Sequence, residues 1–333
     1  MTIPVALPGG RARRAGPLLL LLGMAALPIA YPDLYFLHIM VLALINAILV
    51  VSLQFLLGHA GQASLGHAAF FGTGAYASAI AAMRAGLPFA AAFLIAAVVA
   101  GILGAGLGPI ARLRGYYLGI ATLAFNQVVV LVLTNWESVT QGPLGIRSIP
   151  PPRLGPLVLR TDHQAYYLIL AVLAVTCWAY GRLARSRFGR ALMAIRENEV
   201  AASAMGVNPG RYKLQAFVIS AISAGMAGSL FAHVTGYLNP NSFTFQESVA
   251  LLLMVVVGGQ ASLWGSAVGA VVLTLAPEYL RFLKDYRLVV YGAIVVVLMM
   301  FLPDGLAGAG RWILQRVGRR PPAPIPGTAG PAA

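Results

Sequence analysis

Long apolar segments alternate with short polar ones along nearly the whole chain. The apolar segments fall near residues 17–33, 36–57, 63–83, 88–111, 116–135, 165–181, 214–235, 248–275 and 287–303. A stretch of about 20 apolar residues is long enough to cross the hydrocarbon core of a bilayer as a helix. Because unpaired backbone groups are costly in lipid, the pattern predicts an all-α polytopic membrane protein.

The segment 248–275 is too long for one simple span, and it contains Gly258 and Gly259. It is interpreted as two short helices or one broken helix, since irregular backbone is tolerated at membrane depth only where protein surrounds it. Two helices give about ten spans with both termini inside, and one helix gives nine with the tail outside. The clustering of arginine favours ten, although Arg281 and Lys284 then lie outside.

The composition agrees with a membrane protein. Charged residues make up 10% of the chain and hydrophobic residues 59%, whereas soluble proteins carry roughly 25% charged residues. The net charge of +14 would suggest nucleic acid in a soluble protein, but basic cytoplasmic loops explain it here. We therefore expect membrane lipid and no nucleic acid as a partner. The single cysteine, Cys177, cannot form a disulfide framework or a thiolate metal site.

The order of segments predicts one membrane domain, 17–308, between a cytoplasmic flank at 1–16 and a disordered cytoplasmic tail at 309–333. The first apolar segment is interpreted as a retained span, and cleavage as a signal peptide is the alternative. The proline-rich segment 136–164 is predicted to be an ordered, non-helical outer cap. The stretch from Tyr237 to Asn241 is interpreted as an outer loop that receives a solute donor.

The segment 182–213 is the one long stretch suited to water. It holds seven of the 23 basic residues, namely Arg182, Arg185, Arg187, Arg190, Arg196, Arg211 and Lys213. Its apolar stripe at helical spacing consists of Ala191, Leu192, Ile195, Asn198, Ala202 and Met205. Gly206 followed by Pro209 predicts the end of a helix of about 15 residues, or about 22 Å. The segment is either an interfacial helix or the site at which a partner drives transport.

Several polar side chains interrupt the predicted spans. The candidates for a translocation pathway are Gln62, Ser64, His67, Thr122, Asn126 and Gln127. Such groups need partners in a membrane, so they either hydrogen-bond between helices or line a wet route. Gly66, Gly74 and Ser78 have the small-residue spacing of tightly packed helices. The string GQASL occurs at both 61–65 and 259–263, either by chance or from an internal repeat.

Motifs for catalysis are missing from the sequence. The only lysines, Lys213 and Lys284, do not lie in a phosphate-binding GxxxxGK[ST] frame, so energy from ATP would have to come from a separate subunit. No H-E-x-x-H or G-x-S-x-G motif occurs, and we expect neither enzymatic activity nor a cofactor in this chain. No carboxylate lies at the centre of a predicted span, which disfavours an ion-coupled carrier. A secondary carrier and a membrane scaffold remain the alternatives from other classes.

Several motifs resemble those of one family across residues 35 to 308. They are GQASLGHAAF at 61–70, RGYY at 114–117, TLAF at 122–125, VGG at 257–259, PDGL at 303–306, and the order of residues from Gly189 to Gly206. Together they resemble the permeases of bacterial ATP-binding-cassette importers for branched-chain amino acids, and in particular the M-type subunit. Any one of these motifs alone would be weak.

The resemblance implies a partnership and a mechanism. It implies a multi-pass subunit of the bacterial inner membrane that imports leucine, isoleucine and valine by alternating access, with urea or short-amide import as the alternative. The implied partners are a second homologous permease, two cytoplasmic ATPase subunits that bind ATP, and a periplasmic solute-binding protein. The residues implied to contact the ATPase are Arg190, Ala191, Ile195, Arg196, Glu197, Asn198, Glu199, Ala202 and Gly206.

Overall fold

The protein is described by a computed structural model. The structure describes residues 20–28, 33–113, 115–155, 157–260, 262–280, 282, 286–301 and 305–308. The helices are α1 (20–28), α2 (Leu34–Ala60), α3 (His67–Arg84), α4 (Phe89–Gly106), α5 (Gly108–Ala111), α6 (Tyr116–Asn135), α7 (Glu137–Thr140), α8 (Asp162–Arg185), α9 (Arg187–Glu197), α10 (Glu199–Ala204), α11 (Pro209–Thr235), α12 (Phe245–Gly258), α13 (Leu263–Tyr279) and α14 (Arg287–Phe301). The predicted flank 1–16 and tail 309–333 lie outside the described residues.

Short strands and turns complete the described chain. The strands are β1 (Ile146–Arg147), β2 (Arg153–Leu154), β3 (Leu157–Val158) and β4 (Tyr237–Leu238). β1 pairs antiparallel with β4, and β2 with β3. Two 3₁₀ turns cover Gly142–Leu144 and Pro240–Phe243. The prediction of an essentially helical protein is confirmed for the described residues.

Six segments of the described chain are long and apolar enough to cross a membrane. They are Leu34–Ala60, Phe89–Gly106, Tyr116–Asn135, Asp162–Arg185, Pro209–Thr235 and Pro240–Gly258. The chain is therefore a polytopic membrane protein, and the count of about ten spans stays a prediction. The two 27-residue helices, α2 and α11, are the most buried of the six. α2 packs against α8, α11 and α13, and α11 packs against α3 and α4.

Small residues let α3 and α11 approach closely. A Cβ added to Gly74 would clash with the backbone of Gly225, and one added to Gly228 would clash with the backbone of Phe71. The hydroxyls of Ser78 and Ser229 hydrogen-bond across the same contact at 2.7 Å. The predicted role of Gly74 and Ser78 in helix packing is confirmed.

Helix ends meet at two opposite faces of the bundle. The cap face contains residues 136–155, 157–161 and 236–244, where Arg84 donates to the carbonyl of Val139 (3.1 Å) and His38 lies 3.4 Å from Asp162. The coupling face contains residues 58–66, 107–113, 186–211, 258–260 and 262. There the Gln62 amide donates to the carbonyl of Ala111 (2.8 Å) and the Gln54 amide to that of Gln260 (2.7 Å).

The long apolar segment 248–275 is broken, as predicted. α12 ends at Gly258, Gly259 has φ +108°, and the Ser262 hydroxyl accepts a hydrogen bond from the Gly265 N–H (3.1 Å) to cap α13. The predicted span 88–111 is also broken, at Leu107, into α4 and α5. Both breaks lie at the coupling face, next to the loop between α2 and α3.

One prediction for the cap face was wrong in detail. Segment 136–164 is not wholly non-helical, because α7 and the turn Gly142–Leu144 form at its start and α8 begins at Asp162. Proline fits the first turn of a helix, so Pro143 does not prevent the turn. The stretch from Tyr237 to Asn241 lies at the cap face with Tyr237 and Asn241 exposed, and its contact with a solute donor stays a prediction. Phe243 is fully buried, with its ring 5.1 Å from that of Phe71.

Candidate coupling and translocation sites

The segment 182–213 forms two short helices, α9 and α10, rather than the single helix predicted. Asn198 has extended backbone angles (φ −154°, ψ 105°), and its side chain accepts hydrogen bonds from the N–H groups of Val200 and Ala201, both at 3.0 Å. Asn198 is thus the N-cap of α10 and not part of an apolar stripe. The order Asn-Glu before an alanine-rich turn is the signal that could have revealed this cap.

The predicted end of the segment's helix at Gly206 is confirmed. The Gly206 N–H bonds to the Ser203 carbonyl and the Val207 N–H to the Ala202 carbonyl, which is a Schellman motif. Gly206 has φ +83°, a value that favours glycine. Two residues later Asn208 caps α11, its side chain accepting from the Arg211 N–H at 3.1 Å.

The apolar face of the segment packs against its own chain. Leu192, Ile195 and Ala202 are 0%, 3% and 5% exposed, whereas Met205 is 85% exposed. The apolar side of the segment is therefore covered by the chain itself at these three residues, and the contact of Ile195 and Ala202 with an ATPase stays a prediction. Ala191 is half-buried. The spacing of apolar residues could not reveal which surface would cover them.

Two polar contacts fasten the segment to the central helices. The Arg196 guanidinium donates to the Gly58 carbonyl near the end of α2. The Glu199 carboxylate lies 2.7 Å from the Lys213 ammonium on α11. Both side chains were predicted to contact a partner, and the structure shows that each also holds the segment against its own chain.

A small exposed surface remains at the coupling face. It consists of Arg190, Glu197, Val200, Met205 and Gly206, and we call it the coupling surface. The Glu197 carboxylate forms no ion pair with any described residue. Val200 is 71% exposed although it is apolar. Analysis of the sequence missed Val200, because an isolated valine beside a charged pair gives no signal.

Three of the predicted pathway residues lie between α2 and α3, and all are buried. The Gln62 amide nitrogen is bonded to α5, and the Ser64 hydroxyl accepts from the Gly66 N–H at 3.3 Å. His67 Nε2 lies 2.8 Å from the Ser52 hydroxyl, which donates its proton to the Leu49 carbonyl (2.7 Å). Nε2 of His67 therefore carries hydrogen, and Nδ1 is left as an acceptor.

The other three pathway candidates lie on α6 but do not share one environment. The Thr122 hydroxyl accepts from the Leu65 N–H at 3.0 Å, and the Asn126 amide donates to the Phe243 carbonyl at 3.3 Å. Both residues are fully buried, whereas Gln127 is exposed on the other side of the helix. Thr122 and Asn126 are one turn apart, which explains why they face inward together while Gln127 does not.

Buried polar atoms without a partner in the described chain lie on α3, on α6 and in the loop that precedes α3. Asn126 Oδ1, Gln62 Oε1, His67 Nδ1 and the Tyr76 hydroxyl have no hydrogen-bond partner among the described residues. A buried unpaired polar group costs about 1–3 kcal/mol. The interior of the chain therefore contains groups able to bind a polar solute or water if these helices separate.

The two GQASL strings occupy similar places in the structure. Each follows an apolar helix, lies at the coupling face and precedes another helix, and both first glycines, Gly61 and Gly259, have positive φ. Their backbones differ, since ψ is 22° at Gly61 and 114° at Gly259. The second string also contacts α2, where a Cβ on Gly58 would lie 2.5 Å from the Gln260 carbonyl.

An amphipathic segment anchored at one end of an apolar helical bundle, with polar side chains inside that bundle, defines a membrane transport permease. The family model for the permease component of the branched-chain amino acid transport system matches residues 35–300. The chain belongs to this permease family.

Several permease proteins of import systems are similar to this chain. The chain is 35% identical to the high-affinity branched-chain amino acid transport system permease protein LivM of Escherichia coli (strain K12), over 86% of this chain and 74% of that protein. It is 30% identical to LivH of the same organism over 54% of this chain and 60% of that protein. It is also 25% identical to the autoinducer 2 import system permease protein LsrC of Yersinia pestis (strain Pestoides F), over 61% of this chain and 58% of LsrC. No solved structure matches the chain.

Proposed function

We propose that this chain is the M-type permease subunit of an ATP-driven importer of leucine, isoleucine and valine. It lies in the bacterial inner membrane with its coupling face in the cytoplasm. Its partners are a second homologous permease, two cytoplasmic ATPase subunits and a periplasmic solute-binding protein. The family membership and the similarity to LivM support this proposal.

The main observation behind the proposal is that polar contacts hold α9 and α10 against the central helices α2 and α11. A partner that moves the coupling surface also moves α2 through Arg196 and α11 through Lys213. These two helices are the most buried in the bundle, so their displacement changes the packing of their neighbours. A helix that only oriented the protein in the membrane would not need both contacts.

The chain crosses the membrane about ten times in this proposal, with both termini in the cytoplasm. The crossing elements are α1, α2, α3, α4 with α5, α6, α8, α11, α12, α13 and α14. The break between α12 and α13 supports two crossings there, because Gly259 and Gln260 lie at the coupling face with the 61–66 loop. Ten crossings also leave the basic residues of 182–213 inside.

The solute passes beside the buried polar groups of α3 and α6 when the helices separate. Asn126 and His67 supply hydrogen-bond acceptors without carrying a full charge in the bundle, which suits a zwitterion. Gln62, Ser64 and Thr122 support the same interior surface. Gln127 lies outside this interior surface, and it contributes to the translocation pathway from the side of α6 that the second permease covers.

Uptake into proteoliposomes tests the proposal. This chain and its co-purifying subunits are reconstituted with ATP inside and the binding protein outside, and labelled leucine is compared with labelled urea. We expect leucine uptake that requires ATP. Uptake of urea but not of leucine would contradict the proposed solute. If neither compound were taken up in an ATP-dependent way, the assignment as an ATP-driven importer would be contradicted.

One variant tests the coupling surface within the same assay. Glu197→Ala removes an exposed carboxylate without disturbing a described contact, so we expect ATP-dependent uptake to fall about tenfold, as for a central interface charge. Glu137→Ala, at an exposed position of the cap face, is the matched control and should retain normal uptake. Normal uptake by Glu197→Ala would remove this residue from the coupling surface.

A further inference from the structure

A wholly apolar groove runs along the membrane-facing surface between α4 and α11. It has a volume of about 420 Å³. Its lining includes Leu94, Val98, Ile102 and Ala105 of α4 with Val218 and Ile222 of α11. From Leu94 to Ala105 the groove extends about 16 Å along the helix. This is about half of the 30 Å hydrocarbon core, the depth of one leaflet.

The groove is open to its surroundings because its floor is made of small residues. Leu94, Val98 and Ile102 are 63%, 58% and 65% exposed, so they form a wall and not a buried core. Ala97 and Gly101 lie between them, and a Cβ on Gly101 would lie 2.9 Å from Ile222. The two helices are thus in contact at the floor while the space above them is free.

Two arginines stand at the end of this groove on the coupling face. Arg211 shares its face of α11 with Val218 and Ile222, at positions i, i+7 and i+11. Arg112 lies beside the same end of α11, since a Cβ on Gly210 would be 3.7 Å from its Nε. Both arginines are exposed, and neither guanidinium has a carboxylate partner among the described residues.

We propose that this groove and the two arginines bind an anionic phospholipid of the cytoplasmic leaflet. One acyl chain lies in the groove, and the phosphate contacts Arg112 and Arg211. Exposed Gln215, between Arg211 and Val218 along α11, donates to the glycerol or phosphate oxygens. The inference rests on the proposed orientation, in which the coupling face is cytoplasmic.

Charge and shape together favour a lipid over a protein helix as the occupant. The groove carries no polar group to pair with another helix, yet its end at the coupling face lies beside two exposed arginines without a carboxylate partner among the described residues. Guanidinium groups bind phosphate with two parallel hydrogen bonds, whereas a zwitterionic headgroup offers less net attraction. A lipid therefore satisfies both ends of the site at once.

Lipid titration of the purified transporter complex in detergent, followed by native mass spectrometry, tests this site. The probes are dioleoyl phosphatidylglycerol and dioleoyl phosphatidylcholine. We expect the double variant R112Q/R211Q to bind phosphatidylglycerol about thirtyfold more weakly, since each of the two basic residues near the surface contributes about 1 kcal/mol and 1.4 kcal/mol corresponds to about a factor of ten. Ala105→Trp fills the groove from an exposed position and should weaken binding of both lipids.

The matched control also removes two positive charges near the coupling face. R185Q/R187Q replaces two exposed arginines away from the groove and should leave the preference for phosphatidylglycerol unchanged. An equal loss in the control, or no effect of Ala105→Trp, would overturn the site. The measurement needs neither ATP nor solute, so a failure of the proposed transport function would be seen separately.

Discussion

At the scale of single residues, Glu199 and Lys213 form a largely buried ion pair that holds the coupling segment against α11. Their side chains are 19% and 7% exposed, so neither charge is well solvated. Glu199→Gln leaves the Lys213 charge without its partner, and we expect the free energy of unfolding to fall by about 3 kcal/mol. Thermal unfolding of the purified protein measures this change.

Two further variants distinguish the effect of the ion pair on stability from the general effect of removing a charge. Glu197→Gln removes an exposed carboxylate two residues away and should change stability by less than about 0.5 kcal/mol. The double variant E199Q/K213M removes both charges and should recover most of the loss. If the double variant were as unstable as the sum of its single variants, the ion pair would not be coupled.

Gly206 is a less suitable target, although it belongs to the same segment. Proline cannot adopt the φ of +83° found there. Gly206→Pro would therefore distort the turn between α10 and α11, and a loss of transport would not distinguish misfolding from uncoupling. Glu197→Ala avoids this difficulty because its side chain is at the surface.

At the scale of elements, the crossing of α3 and α11 depends on glycine. Gly74→Ala places a methyl group against the backbone of Gly225, where no flexible side chain can move aside. Overpacking of this kind costs about 1–3 kcal/mol, so we expect a lower melting temperature in detergent. Fluorescence-detected size-exclusion chromatography after heating measures it.

Gly106→Ala is the control for that variant. Gly106 also lies in a helix, but a Cβ added there has nothing within 4 Å. Since alanine is favoured over glycine in a helix by up to about 1 kcal/mol, stability should stay the same or rise. A loss equal to that of Gly74→Ala would show that helical glycine, and not the close contact, determines the effect.

At the scale of the whole molecule, the exposed side of α6 predicts where the second permease lies. Its apolar residues Ile120, Val128 and Leu131 are 57–65% exposed, and Gln127 stands among them near the middle of the helix. An amide at this depth is costly in lipid, so we expect protein or water to cover it. Gln127→Cys, with Cys177 replaced by alanine and the new thiol labelled with benzophenone maleimide, should cross-link to the second permease when membranes are irradiated.

Ile102→Cys provides the contrasting position. Ile102 is 65% exposed and lies in the groove assigned to lipid, so it should not cross-link to the second permease. Both variants are labelled in the same way, and immunoblotting of the irradiated membranes detects either product. Cross-linking at Ile102 in place of Gln127 would contradict both the subunit contact on α6 and the lipid on α4.

The sequence alone determined the class of the protein and the order of its elements. Apolar length predicted the helices, because a bilayer requires about 20 such residues for each span. Gly259 in a long apolar segment predicted the break between α12 and α13, and Gly206 predicted the end of α10. These are local properties, set by the backbone freedom of glycine and by the cost of polar groups in lipid.

Only the tertiary structure decided which surface each side chain meets. It turned Leu192 and Ile195 toward the chain itself and brought the Arg196 guanidinium against the end of α2. It also separated buried Asn126 from exposed Gln127. In a soluble protein, polarity distinguishes the inside from the outside. In a membrane, residues that face lipid and residues that face protein are both apolar, so periodicity cannot tell them apart. The packing of distant helices makes that distinction, and it exists only once the chain has folded.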